Sequence, residues 1–157
     1  SVRFSDVLCD ILDLLGKEKS RDNIDILVTA LRKAFNDDGI LNGAMQTRLN
    51  EFDADIVILD GLRKEKEIPL VRKHNGLLVY ITADQRVRYE RRKQTTEKPD
   101  EVNMSWEQFV DQDNAPPHRE IRQIGETMSD ITIENNGSIE EFELAIKKFL
   151  KHHRLAE

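Results

Sequence analysis

The stretch Ala54-Asp-Ile-Val-Ile-Leu-Asp-Gly-Leu-Arg63 decides how the rest of the chain is read. Its middle is an apolar run of strand length, and it ends in an acid, a glycine and an arginine. Continuous runs of this kind are the ones buried on both faces in parallel sheets. Ligands of open α/β sheets sit beyond the carboxyl ends of the strands, so Asp60 and Arg63 stand where chemistry would occur. A carboxylate suits a hard cation such as magnesium, and a guanidinium offers a planar fork of donors to a phosphate. The alternative is a turn aspartate and a surface arginine, but an acid that directly follows a fully apolar strand favours the functional reading.

Working outward, Leu77-Leu-Val-Tyr-Ile81 is a second apolar run of strand length. Between the two runs lies a helix-length polar segment, Lys64 to His74, in which Pro69 must either sit in the first turn or break the helix. Upstream, Val7, Leu8, Ile11, Leu12 and Leu15 recur at helical spacing after Ser5-Asp6, with Gly16 as the stop. A second helix runs from Ser20 with Ile24, Leu27, Val28, Leu31 and Phe35 on one side and Gly39 beyond its end. A third, shorter one holds Ile40 to Leu49. Downstream, Asp84 precedes the basic helix Gln85 to Arg92, and Gln94 to Asn103 reads as a mobile loop. Ser105-Trp-Glu-Gln108 is a capping box with Met104 and Phe109 as its hydrophobic staple. A further helix spans about His118 to Thr127, Asp130 to Glu134 alternates as a strand, Asn135-Asn-Gly137 turns, and Ser138 with Glu141 boxes a last helix. This order predicts an α/β fold with a mostly parallel sheet. It is expected as one domain over residues 1–157, with a lid-like segment at about 94–117.

The 157 residues carry a net charge of −6, which argues against a general nucleic-acid binder, whose affinity needs a basic surface. The single cysteine, Cys9, cannot form an internal disulfide and reads as a small residue on an apolar helix face. No apolar run of 18 residues and no signal-peptide pattern occurs, so no membrane association and a cytoplasmic location are expected. The four histidines show no metal-ligand spacing.

Two further clusters carry chemistry. Arg86, Arg88, Arg91 and Arg92 crowd one helix, where Arg88 and Arg92 at i, i+4 repel unless an anion lies between them; a solvated face paired with Glu90 is the alternative. Arg3 and Asp6, with Arg21 and Arg32, form either an anion pocket or surface charges and a helix cap. Trp106 reads as a packing residue.

Taken together, Val2-Arg-Phe-Ser-Asp6, Ser20-Arg-Asp-Asn23, Ile56 to Arg63, Val79 to Asp84 with Arg88-Tyr-Glu-Arg91, Trp106 to Phe109 and Ile133 to Ser138 resemble the P-loop nucleoside and nucleotide kinases, particularly the dephospho-CoA kinase and deoxynucleoside monophosphate kinase branch. These stretches span nearly the whole chain in family order. The resemblance implies a three-layer α/β fold and ATP- and magnesium-dependent phosphoryl transfer to a small nucleotide-like acceptor. It implies that Asp6, Arg21 and Arg63, with Arg3 and Arg32 around them, face the acceptor. Asp60 would help hold magnesium, and Arg88, Arg91 and Arg92 would lie near the lid and the ATP phosphates. Backbone around Asn135, Asn136 and Gly137 would border the adenine.

The sequence departs from that pattern at one point. No stretch matches G-x-x-x-x-G-K-[ST], the loop that cradles phosphates, and its strand is the middle one of the sheet in this family. Without that loop phosphoryl transfer loses its main stabilising interaction, so this chain alone is expected to be inactive and to bind ATP weakly or not at all. Two apolar strand edges would be left, since the missing strand lies between those placed at 55–60 and 77–83. Either those strands pair directly, or another chain fills the gap in a homo-oligomer, or an upstream segment supplies the strand. The alternative function is a nonenzymatic nucleotide-binding or oligomeric interaction module built on the same scaffold.

Overall fold

The computed structural model describes residues 1–95 and 104–155. They form an α/β chain: β1 (Val2–Arg3), α1 (Phe4–Leu14), α2 (Arg21–Phe35), α3 (Asn42–Asn50), β2 (Leu59–Asp60), a 3-10 turn (Glu65–Glu67), α4 (Ile68–Lys73), β3 (Val79–Thr82), α5 (Gln85–Thr95), α6 (Trp106–Asp113), α7 (Pro116–Met128), β4 (Ile131–Glu134) and α8 (Ile139–His152). The chain divides into two compact units, Ser1–Gly76 and Leu77–Glu157. Each unit contains one small parallel sheet, and each strand takes its partner from its own unit. Among the described residues no helix is long and apolar enough to cross a membrane.

In the first unit Val2 lies opposite Leu59 and Arg3 opposite Asp60. The Val2 N–H also donates to the Ile58 carbonyl at 2.8 Å. The ladder is short because the chain turns into α1 at Phe4, so the run expected as a buried strand from Ile56 contributes only its end. Ile56 and Ile58 are 45% and 63% exposed in consequence. Asp6 does not cap α1 from in front. It lies in the first turn and its carboxylate reaches back to the Arg3 N–H at 3.1 Å, so the helix begins earlier than the Ser5-Asp6 signal suggests. The apolar stripe of α1 packs Phe4, Val7 and Leu8 with Val2, Leu41, Met45 and Leu70 into one core. Helix α2 is capped by Ser20, whose hydroxyl accepts from the Asn23 N–H, and adds Ile24, Leu27, Val28 and Leu31. It stops at Asn36 in the left-handed region, ahead of Gly39. Phe35 therefore falls on the final turn and is exposed, where the sequence pattern placed it on the packed side. Pro69 occupies the first turn of α4, as its missing N–H requires.

In the second unit β3 and β4 pair in register from Val79 opposite Ile131 to Thr82 opposite Glu134. Helix α7 lies close against the ladder at Gly125, where a Cβ would fall 2.3 Å from the Tyr80 ring. Capping boxes at Ser105 and Ser138 start α6 and α8. Met104 and Phe109 are buried as the expected staple and pack with Tyr89 and Trp106. The Tyr89 and Trp106 rings meet edge-on, 5.4 Å between centroids. Pro116, favourable at the head of a helix, starts α7 two residues before His118. Of the lid-like segment at 94–117, residues 96–103 lie outside the described residues, and α6 and the start of α7 make up most of the remainder.

Candidate functional site

The carboxyl ends of β1 and β2 lie side by side because the strands are parallel and in register. Arg3 Nε stands 3.2 Å from Asp60 Oδ2, with both side chains more than half exposed. Gly61, at φ +85°, then turns the chain in a conformation that side-chain-bearing residues rarely adopt. Arg63 follows with its side chain exposed. The turn is held from beneath by Glu67, which is 1% exposed. Its Oε2 accepts from the N–H groups of Arg63 at 2.8 Å and Lys64 at 3.0 Å. Its Oε1 receives Arg32 Nη2 at 3.0 Å. Burial pushes the Glu67 carboxyl above the usual glutamate value, against the opposing pull of those two N–H groups and the Arg32 charge.

Arg32 also donates to the Asp38 carbonyl at 3.2 Å, so the structure places it in an internal brace. That differs from both alternatives read from sequence for Arg32, an anion pocket and a surface charge. Arg21 opens α2 and is exposed. Asp6 lies at the edge of an open groove of about 680 Å³ running along α1 and α3, where Asp10 and Arg48 form an ion pair. Among the described residues no three His, Cys, Asp or Glu side chains cluster as a metal cage. Magnesium shared with substrate phosphates needs only one or two carboxylates, so Asp60, with one oxygen facing Arg3, is a donor of the right kind.

In the second unit the arginines of α5 are deployed in different directions. Arg88 forms a two-pronged pair with the buried carboxylate of Asp113, with Nη2 to Oδ2 at 2.9 Å, and donates from Nε to the Ala83 carbonyl at 3.0 Å. Arg122 Nη2 and Gln85 Nε2 reach the same Asp113 oxygen at 2.6 and 2.9 Å. Burial alone would raise the Asp113 carboxyl, but the hydrogen bonds from Arg88 and Gln85 and the charges of Arg88 and Arg122 outweigh it and hold it below the usual aspartate value. Arg91 donates to the carbonyls of Asn135 at 2.6 Å and Gly137 at 2.7 Å. Asn136 Oδ1 accepts from the Asp84 N–H at 2.7 Å, and the Asn135 N–H reaches the Thr82 carbonyl at 2.7 Å. The Asn-Asn-Gly corner is thus tied to the carboxyl end of β3. Arg86 lies over the rings of Tyr89 and Trp106, 5.2 and 4.9 Å from their centroids, and pairs with Glu90. Arg92 is half-buried in the last turn of α5.

The structure therefore joins Arg3, Asp6 and Asp60 in the first unit, and Arg91 with Asn135 and Gly137 in the second. It sends Arg32 and Arg88 to buried carboxylates that sequence reasoning did not single out. Glu67 had a visible signal, an acid placed directly before the apolar Ile68, Leu70 and Val71. Asp113 and Arg122 had none, since each is one charge among many.

No family model matches the chain. It is similar to the UPF0200 protein MJ1399 of Methanocaldococcus jannaschii, 28% identical over 134 residues, which is 80% of this chain and 64% of that protein. It is also similar to the UPF0200 protein TK1334 of Thermococcus kodakarensis, 27% identical over 158 residues, covering 96% of this chain and 82% of that protein. The match with the Methanocaldococcus protein thus takes in less than two thirds of that protein's length.

Proposed function

We propose that this chain belongs to an ATP- and magnesium-dependent phosphotransferase of the nucleotide kinase type, acting on a small nucleotide-like acceptor. The observation that carries this reading is the pairing of Arg3 with Asp60 at the carboxyl ends of adjacent parallel strands, followed at once by Gly61 and Arg63. An acid and basic groups in that position are what phosphoryl transfer asks of a protein, since its catalysis is mostly positioning and charge stabilisation. In this reading Arg63 and Arg3 orient the acceptor's phosphate, and Asp6 and Arg21 border it. Asp60 would hold magnesium, which when bound neutralises charge on the phosphates of ATP. Arg91 and Arg92 serve the donor nucleotide, Arg88 keeps α5 in place through Asp113, and the corner at Asn135 to Gly137 borders the adenine. The three-layer P-loop layout is part of the same proposal. The test is transfer of labelled γ-phosphate from ATP to nucleoside monophosphates and dephospho-CoA by the full-length natural protein. Absence of transfer to every acceptor sinks the reading.

A second reading, a nonenzymatic interaction module, is favoured by the exposure of apolar residues in and beside the strands. Ile58 is 63% and Ile81 50% exposed, although parallel ladders are ordinarily covered. Pairing through such edges would give a homo-oligomer. Sedimentation of the wild type and of Ile58→Lys and Ile81→Lys tests it, because loss of self-association in the variants is expected only if these residues line an interface.

A further inference from the structure

We infer that Glu67 is a positioning residue that fixes the direction in which the Arg63 side chain projects, an inference that builds on the role given to Arg63 above. Four observations carry it. The Glu67 carboxylate is 1% exposed, so its bonds are shielded from competing water. One oxygen takes two consecutive backbone N–H groups, those of Arg63 and Lys64, which fixes the peptide plane on either side of the Arg63 α-carbon. The other oxygen is held by Arg32, which α2 anchors and which also grips the Asp38 carbonyl, so the carboxylate cannot rotate away. The neighbouring backbone is pinned as well, because Asn42 Nδ2 donates to the Lys66 carbonyl at 2.7 Å and Gly39 sits where a Cβ would fall 3.3 Å from that same oxygen.

The chemistry of the pair explains why an acid is needed there. A carboxylate offers two oxygens and no donor, so it can face two N–H groups on one side and a guanidinium on the other. Glutamine can match only one of those faces, and methionine neither. With Gly61 bending the chain between β2 and Arg63, the backbone has a hinge that side-chain bonding must close. Glu67 closes it from three residues beyond Lys64. The direction of Arg63 is then set by a buried side chain and not by the loop's own preferences.

Amide hydrogen exchange read by NMR tests this. In Glu67→Met the Arg63 and Lys64 amides are expected to exchange about tenfold faster or more, the loss expected for a hydrogen bond to a charged acceptor, while α1 amides keep their protection. Glu67→Gln should show partial rescue. Because Glu67→Met leaves the partly buried Arg32 without its counter-charge, the double variant Arg32→Met/Glu67→Met supplies the same measurement in a chain with no orphaned charge. Unchanged exchange at Arg63 and Lys64 in the folded double variant overturns the inference. Titration with inorganic pyrophosphate, followed at the Arg63 guanidinium, is a separate readout. Loss of protection in the variants, with no pyrophosphate response in the full-length natural protein, keeps the positioning role and sinks the phosphotransfer reading.

Discussion

Arg88 and Asp113 form a two-pronged ion pair in which the carboxylate is buried and the guanidinium is about one third exposed, at 35%. Since Arg122 and Gln85 converge on the same carboxylate, its removal strands two cations. Asp113→Ala is expected to lower stability by about 2 kcal/mol, less than for a fully buried pair because solvent screens both arginines. Urea denaturation measures it. The sign of the pH effect follows from the depressed Asp113 value. Its contribution is present above the unfolded value near 3.8 and is lost as pH falls through the lower folded value, and this acid-side loss should vanish in Asp113→Asn.

Glu67 has the opposite sign. Burial raises its folded value above 4.5, with Arg32 and the Arg63 and Lys64 amides pulling the other way. The native state therefore binds the proton more tightly than the unfolded chain. Stability from this group is greatest below 4.5 and declines as pH rises through the folded value. Thermal melts across the mildly acidic range should show that decline in wild type and a flatter profile in Glu67→Gln.

Gly125 is expected to reject even a methyl group. A Cβ there lies 2.3 to 2.5 Å from three atoms of the Tyr80 ring. Alanine would gain up to about 1 kcal/mol in helix propensity but would overpack the contact, at about 1–3 kcal/mol or more. Gly125→Ala should lower the urea midpoint, and Tyr80→Leu in the same chain should recover part of it.

Asp60→Asn and Arg63→Lys should hardly affect folding, because both side chains are exposed. Under the phosphotransfer proposal each should reduce kcat of the full-length natural protein by about 10²-fold or more while leaving the melting temperature nearly unchanged. Equal activity in both variants would remove these residues from the reaction.

Elements started by local chemistry were legible in the chain. The boxes at Ser105 and Ser138, the staple of Met104 and Phe109, and Pro69 in a first turn are set by residues within five positions of one another. The strand tip at Asp60 was legible too, because an apolar run ends there. The length of the strands was not. Ile56 and Ile58 have strand chemistry, but a ladder is only as long as its partner, and β1 offers two residues. The destinations of Arg32 and Arg88 were hidden for a related reason. Their acids lie 35 and 25 residues away, and nothing in the spacing of charges says which carboxylate will be buried.

The sequence separations within the second unit have a consequence for biosynthesis. The Leu78 N–H is received by the Asp130 carboxylate and the Asp84 N–H by Asn136, each 52 residues further along. On a ribosome, β3 would emerge long before anything able to close either of its ends, and local helices would have to wait with it. The interval between translating Leu78 and releasing Asn136 is thus the period in which both ends of β3 stay open, and slow codons within it would lengthen that exposure.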